Sequence, residues 1–333
     1  MILAGTIGAT KTVLALCNVD DAGGPGGGVR IARTERFKSQ ELSSLDKALD
    51  QFLRERDIEA LYGACFGVAG PVVDGTARVT NLGWLLDGAQ LSKKFGITVR
   101  LINDLQATAL GSLVVPQDKL AVLQPAEATP ANAAIAVLAL GTGLGEATLI
   151  HDGKRYRAMP SEGGHADFAA ATDDELELVK FLRARHGHVS YERVLSSSGI
   201  LELYEYCRQK SGEREPTWLA HDIAAAAGDA STAIVAAALA GKDACCVRAV
   251  EMFTEILGAE AGNIALRAVA GGVVIGGGIP HSLLRVLQGG AMIRRFNDKG
   301  RFSRWMSTVG VRVLLEPRAG LLGAAHHAAT AGR

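Results

Sequence analysis

Two segments of this 333-residue chain begin with the same order of elements, which strongly limits the folds open to it. Each has an apolar strand, a tight loop of small residues and a second strand. Backbone N–H groups and hydroxyls at the tip of such a loop can bind phosphate. The repeat predicts two related lobes that hold one polyphosphate between them. The strand, loop and strand are Met1–Ala4, 5–12 and Val13–Cys17 in one segment, and Ile135–Leu140, 141–145 and Glu146–Ile150 in the other.

The first loop is one substitution away from the P-loop pattern, with Thr10 where the second glycine belongs. A P-loop must lead into a helix whose N-terminus binds the phosphates. Only Val13–Cys17 follows before the Gly-rich residues 21–28, and that length suits a strand better than a helix. We therefore predict a hairpin whose tip presents N–H and hydroxyl groups to a phosphate.

The composition is that of an ordinary globular protein, with 48% hydrophobic and 21% charged residues. Lys plus Arg equals Asp plus Glu, at 35 each, so no overall charge attracts nucleic acid or an anionic membrane. Five cysteines without a CxxC pair favour reduced thiols and a cytoplasmic location. We expect no targeting segment, and the longest charge-free run, near 230–241, is too short to span a bilayer.

The apolar strand Val99–Ile102 ends in two small polar side chains, Asn103 and Asp104, before a helix-favouring run begins. Ligands of open α/β sheets bind beyond the carboxyl ends of strands. There, an amide and a carboxylate can hold a hydroxyl group and remove its proton. The alternative is that both residues only cap the following helix. The strand alone favours the cap, whereas the polar groups elsewhere in the chain favour a site.

Three further segments are candidates for binding or catalysis. In 162–165, Glu-Gly-Gly-His, paired glycines would let the acid and the histidine turn towards one point, although a flexible surface loop explains the pattern equally well. Glu192 lies near the start of a predicted helix, Tyr191–Leu195, where an acid often only interacts with the helix dipole. Gly276–Gly278 follows the strand Val273–Ile275 and indicates either a nucleotide contact or a tight turn into a helix.

Hydrophobic spacing and turn residues predict the other elements. Thr172–Glu175 has the capping-box pattern and starts a helix through about Arg185. Asp74-Gly75 and Asp152-Gly153 predict hairpin turns, and the Pro- and Ala-rich connection 125–133 is typical of a domain joint. The remaining predicted helices are Ile200–Gln209, Asp222–Leu239, Ala244–Val269 and Gly320–Ala329.

Taken in order, these motifs resemble the bacterial-type ATP-dependent glucokinases of the hexokinase–actin (ribonuclease H-like) superfamily. The resemblance implies a two-lobed, actin-like ATPase fold with a cleft between a small and a larger α/β domain. The small domain would comprise residues 1–114, completed by a C-terminal helix at about 315–333, and the large domain would comprise 115–314. The segments that carry the resemblance are 80–84, 101–104, 141–145, 162–165, 187–196, 298–302 and 320–323.

The resemblance also implies the chemistry: in-line transfer of a phosphoryl group from ATP to O6 of glucose, with Asp104 as the base. Mg²⁺ would bridge the phosphates, no residue is assigned as a metal ligand, and the protein would be a homodimer. The residues implied at the sugar are Asn81, Asn103, Asp104, Glu162, His165 and Glu192. Those implied at the nucleotide are Thr6, Gly8, Ala9, Thr10, Gly141, Thr142, Gly143, Gly277 and Gly278.

The nucleotide side departs from the family pattern. The first loop normally reads Asp-x-Gly-Gly-Thr, but Thr6 replaces the aspartate that helps to organise Mg²⁺, and Ala9 replaces a glycine. Ala139 stands where glycine is usual, and Glu146 where a small apolar residue is expected. Three functions stay open: a glucokinase with altered handling of Mg-ATP, a glucose sensor with weak or no transfer activity, and a hexokinase with another phosphoryl donor.

Overall fold

The computed structural model describes residues 1–19, 28–79, 82–127, 130–226 and 228–330. These residues form a mixed α/β structure, as the sequence predicts. The predicted sugar ligand Asn81 lies outside the described residues, as does most of the Gly-rich stretch 21–28. Among the described residues, every helix is either too short or too polar to span a bilayer.

The strands are short, and most of them are buried on at least one face. They are β1 (Ile2–Ile7), β2 (Lys11–Val19), β3 (Val29–Lys38), β4 (Gly63–Val68), β5 (Val72–Val73), β6 (Thr76–Val79), β7 (Trp84–Asp87), β8 (Val99–Asn103), β9 (Leu120–Gln124), β10 (Ile135–Leu140), β11 (Leu144–His151), β12 (Tyr156–Ser161), β13 (Gly272–Gly276) and β14 (Gly310–Leu314).

The helices range from single turns to seven turns. They are α1 (Leu45–Phe52), α2 (Glu55–Glu59), α3 (Gly88–Phe95), α4 (Asp104–Gly111), α5 (Asp173–His186), α6 (Ser197–Ser211), α7 (Thr217–Ala225), α8 (Ala230–Leu239), α9 (Ala244–Ala268), α10 (Gly278–Ser282), α11 (Leu284–Leu287), α12 (Ala291–Asn297), α13 (Ser303–Met306) and α14 (Ala319–Thr330).

The first sheet has five strands in the order β3-β2-β1-β4-β8. The antiparallel pairing of β1 with β2 confirms the predicted hairpin. β1, β4 and β8 run parallel, and their register aligns Thr6 with Gly67 and Gly67 with Ile102. Because parallel strands end at the same edge of a sheet, the loop after β1 and the start of α4 after β8 lie at one edge.

The second sheet has the strand order β12-β11-β10-β13-β14-β9. β10 and β13 are parallel, with Ala139 opposite Gly276, so the glycine loops that follow these two strands also share an edge. A third, small sheet contains β5, β6 and β7. Asp74 and Gly75, at its predicted hairpin turn, both have positive φ, at 48° and 72°, as a type I′ turn requires.

Two compact units divide the structure. The first contains Met1–Leu120, Ala147–Pro160 and Leu315–Arg333, and the second contains Ala121–Glu146 and Ser161–Leu314. The resemblance predicts domain boundaries at 114 and 315, which stay a proposal.

Two glycines let helices α4 and α14 of the first unit touch through their backbones. A Cβ atom at Gly111 would lie 2.0 Å from the Ala319 carbonyl oxygen, and one at Gly323 would lie 1.8 Å from that of Ala107. Neither position has room for a side chain. The close contact holds α4, whose first residue is Asp104, firmly against the C-terminal helix.

Two predicted helices are wrong in detail. Tyr191–Leu195 forms turns, because the N–H groups that follow do not continue a helical pattern: the Val194 N–H donates to the Tyr191 carbonyl, three residues back, and the Ser197 N–H donates to that of Gly141. The predicted helix Asp222–Leu239 is two helices, α7 and α8, with Gly228 between them at a φ of 96°. The predicted capping box at Thr172 is confirmed, since its hydroxyl accepts the Glu175 N–H.

Candidate active site

Hydrogen bonds from Ser39 stabilise the β1–β2 loop in the first unit. The Ser39 hydroxyl donates to the Gly8 carbonyl over 2.7 Å and lies 2.9 Å from the Thr12 hydroxyl. The Ser39 N–H donates to the Thr10 carbonyl over 3.1 Å. Ser39 therefore anchors two of the loop's carbonyl groups, which orders the tip.

Thr6 is half-buried at the end of β1, beside the N-terminus of α14. A Cβ atom at Gly320 would lie 3.2 Å from the Thr6 methyl carbon and 3.5 Å from the Thr108 hydroxyl. The two threonines and the glycine therefore pack closely where α14 begins. A helix N-terminus carries partial positive charge, so this is a favourable place for an acid or a phosphate group.

Asn103 caps α4, the role that the sequence analysis gave as the alternative to a binding site. Its side-chain oxygen accepts the Leu105 N–H over 2.9 Å, and its amide nitrogen donates to the Gly70 carbonyl over 3.2 Å. Asp104 is the first residue of the helix and is exposed. Its Oδ1 atom accepts the Leu105 N–H over 2.9 Å. Capping fixes the Asn103 side chain, while Asp104 is exposed at the sheet edge.

In the second unit, Glu192 connects the second glycine loop to the Glu162–His165 turn. Its Oε2 atom accepts the Leu144 N–H over 3.0 Å, and its Oε1 atom lies 3.8 Å from His165 Nδ1. His165 Nε2 lies 4.0 Å from a Glu162 carboxylate oxygen. The structure thus brings together the three predicted sugar residues of this unit. The dipole alternative for Glu192 is wrong, because no helix starts there.

The two glycines between Glu162 and His165 are needed for space. Neither has a positive φ, so the turn does not depend on the backbone freedom that was expected of these glycines. A Cβ atom at Gly164 would lie 2.3 Å from the Leu144 carbonyl, and one at Gly163 would lie 2.0 Å from Glu146 Oε2. The turn therefore packs directly on the start of β11.

Glu146 is almost fully buried beneath this turn and faces a second buried acid, Glu260, on α9. Asn263 donates to Glu260 over 2.9 Å, and Arg267 makes an ion pair with it. Among the described residues, the Oε1 atom of Glu146 has no hydrogen-bond partner. Burial and the nearby Glu260 carboxylate raise the pKa of Glu146 to about 7, and Arg267 opposes the shift.

A cavity of about 470 Å³ opens beside the second glycine loop, and its volume is typical of small-molecule sites. Gly141, Thr142 and Gly278 line one side, as the nucleotide assignment expects. The sequence analysis missed the other walls. The i, i+4 pair Val235 and Leu239 on α8 was the available signal for them. These walls are apolar at Ile200, Val235, Leu239 and Ile279, and polar at Asp229 and Ser231.

Gly277 and Gly278 have different roles. Gly277 has a φ of 101°, and a Cβ atom there would lie 2.0 Å from the Leu140 carbonyl oxygen. At Gly278 a Cβ atom would have no neighbour within 4 Å. The tight-turn alternative therefore applies to Gly277, whereas Gly278 is open to the cavity.

Known proteins are similar to this chain over nearly its whole length. The sequence pattern of the family described as Glucokinase matches residues 3–331. The glucokinase of Synechocystis sp. is 39% identical, covering 97% of this chain and 96% of that protein. The crystal structure of glucokinase from an Antarctic psychrotroph is 31% identical with a TM-score of 0.85, covering 98% of this chain and 99% of that one.

A more distant structure shows the same fold. The ROK family glucokinase from Streptomyces griseus, crystallised in complex with glucose and AMPPNP, has a TM-score of 0.60 at 19% identity, covering 98% of this chain and 99% of that one. Fold and loops together define a sugar kinase of the actin-like ATPase class. The chain belongs to the glucokinase family. The predicted family, fold class and enzyme class are therefore confirmed.

Proposed function

We propose that this chain transfers the γ-phosphoryl group of ATP to O6 of D-glucose, with Asp104 as the base that accepts the hydroxyl proton. The observation that carries the proposal is the exposed Asp104 carboxylate at the sheet edge that it shares with the anchored β1–β2 loop. A base in this position can accept the proton as O6 attacks the phosphorus in line.

The sugar side is supported by Glu162, His165 and Glu192, which converge in the second unit. Each carboxylate can accept hydrogen bonds from two neighbouring hydroxyls of a hexose. A site of this kind rejects an analogue that lacks a hydroxyl, because its acceptors then stay unpaired. We propose that these three side chains bind the hydroxyls of one glucose molecule.

The nucleotide side is supported by the cavity beside Gly141, Thr142 and Gly278. Its apolar walls suit a purine ring, and the glycine loop offers N–H groups and a hydroxyl to phosphates. ATP fits these residues by size and chemistry. The Streptomyces griseus protein with AMPPNP is consistent with this assignment.

The strand ends of the first unit offer Mg²⁺ fewer acidic groups than the family pattern does. Asp104 offers a carboxylate, but Thr6 offers only a hydroxyl where the family pattern has an acid. Mg²⁺ commonly binds through one or two carboxylates plus substrate phosphates and waters. When bound, it would neutralise charge on the phosphates, while Thr6 could orient one of its waters.

Thr6→Asp is expected to raise kcat with Mg-ATP roughly tenfold, because a carboxylate orients the water shell of the metal better than a hydroxyl. A tenfold rise corresponds to about 1.4 kcal/mol of barrier. Gly320 packs closely beside residue 6 but has no side chain of its own, and the N-terminus of α14 favours the new charge. A coupled assay for glucose 6-phosphate measures the effect, and the KM for glucose should hardly change. Thr6→Asn, which adds the same bulk without charge, should give no rise; equal rates in both variants would contradict this role.

Gly143→Ala is expected to raise the KM for glucose about tenfold or more, although residue 143 lies in the loop assigned to phosphate. A Cβ atom there would lie 2.5 Å from Glu192 Oε2, so the carboxylate must leave the Leu144 N–H. Loss of a hydrogen bond to a charged group costs about 1.5–3 kcal/mol. Steady-state kinetics with varied glucose measure the shift.

Gly141→Ala serves as the matched variant, because a Cβ atom there has no neighbour within 4 Å. We expect its KM for glucose to change much less. An equal rise in both variants would show that Glu192 is not the cause.

Two alternatives are decided by the same assay. A glucose sensor would bind glucose without forming glucose 6-phosphate, and a kinase with another donor would work with ADP or polyphosphate in place of ATP. The homodimer and the cytoplasmic location also stay predictions, and light scattering of the purified protein tests the first.

A further inference from the structure

The buried acid pair Glu146 and Glu260 has no part in the chemistry proposed above, yet it lies directly under the Glu162–His165 turn, called the sugar turn below. Glu146 is 3% exposed and Glu260 is fully buried. Two negative charges so close together in a protein interior repel strongly unless a proton lies between them. Glu146 is also a departure from the family pattern, which has a small apolar residue at this position.

The donors around the pair indicate where the proton lies. Asn263 and Arg267 donate to Glu260, so the negative charge is stabilised on that residue. Glu146 Oε1 has no donor in the described residues. A proton on Glu146, donated to Glu260, satisfies both acids and removes the repulsion.

Glu146 also touches the sugar turn. Its Oε2 atom occupies the place that a Cβ atom of Gly163 would take, and Gly163 N–H donates to the Ser161 hydroxyl over 2.9 Å. A movement of the Glu146 carboxylate towards the turn would therefore displace Gly163. Gly163 lies between the predicted sugar ligands Glu162 and His165.

We propose that Glu146 is a positioning residue for hexose binding: a proton shared with Glu260 holds the Glu162–His165 turn in its binding shape, and loss of that proton weakens glucose binding. This role rests on the proposed function. It differs from sugar contact, because Glu146 acts from beneath the turn through Gly163.

Other charged groups face the pair from each neighbouring element. Arg267 on α9 favours the ionised form of Glu146, and burial opposes it. Tyr191, from the turn before α6, accepts a hydrogen bond from Asn263 over 2.9 Å. Lys299 donates to Asn263 over 2.8 Å from beyond α12. Glu192 and His165 lie on the sugar side of the turn. None of these residues is substituted in the variants below.

The test is the dissociation constant of glucose, measured by calorimetry without nucleotide between pH 6 and pH 8. The pKa of Glu146, about 7, places the loss of the proton within this range. If only the protonated form is competent, wild-type affinity falls about tenfold over the range. Glu146→Gln keeps the shape and a donor but does not titrate, so its affinity should change much less. Glu251→Gln, an exposed change on α9, should keep the wild-type profile.

A second pair of variants tests the contact itself and does not depend on Glu146→Gln folding. Gly163→Ala should weaken glucose binding at pH 6 about tenfold, and Glu146→Ala in the same chain should restore part of it by making room. Identical pH profiles for the wild type and Glu146→Gln, or no rescue by the double variant, would overturn the role of Glu146 alone. Absence of glucose binding by the wild type at every pH would instead overturn the proposed function, and this role with it.

Discussion

Asp104→Asn is expected to lower kcat for glucose phosphorylation by about 100- to 10,000-fold, which is the usual contribution of a general base. Asparagine has the same shape and can still accept the Leu105 N–H, which the Oδ1 atom of Asp104 accepts over 2.9 Å. It cannot take a proton from O6. Because the residue is exposed in the first turn of α4, the stability should change by less than about 0.5 kcal/mol.

The measurement is kcat and KM in the coupled assay, together with the glucose dissociation constant. We expect the loss to fall on kcat, which marks an interaction made only in the transition state. Asp118→Asn, an exposed acid in the same unit, controls for the loss of one charge. An Asp104→Asn variant with near wild-type kcat would exclude Asp104 as the base.

Gly277→Ala is expected to destabilise the protein by about 3 kcal/mol or more. Its positive φ of 101° is strained for any residue with a Cβ atom, and that atom would meet the Leu140 carbonyl at 2.0 Å. Backbone strain costs about 1–3 kcal/mol, and overpacking adds a similar amount. Denaturant unfolding followed by circular dichroism measures the loss.

The neighbouring glycine is a strict comparison. Gly278→Ala adds the same methyl group at a position with no neighbour within 4 Å, so stability should hardly change. Since Gly278 lines the cavity, its effect should appear in the KM for ATP. Equal losses of stability in both variants would contradict the packing explanation for Gly277.

Glu192 illustrates why the proposed sugar and phosphate sites need not be independent of one another. Its two carboxylate oxygens serve different loops: one accepts the Leu144 N–H beside Gly143, and the other lies near His165. A conformational change in either loop should therefore shift Glu192 and alter its contact with the other loop. The sequence separates Glu192 from Leu144 by 48 residues and from His165 by 27, so these contacts could not be predicted from spacing.

The amino-acid sequence by itself determined the α/β class, the two strand–loop–strand repeats, the turns at Asp74 and Asp152, and the cap on α5. All of these depend on interactions within a few residues: alternation of side chains, positive φ at glycine, and side-chain capping. The ordered motifs added the family, because together they are specific where each alone is not.

Only the tertiary structure decided what the small and acidic residues do. It replaced a predicted helix at Tyr191–Leu195 with turns, showed that Gly163 and Gly164 provide space, and placed Glu146 opposite Glu260. Each result depends on atoms that are distant in sequence and close in space. Close packing and buried charge act through such contacts, so local sequence patterns carry no record of them.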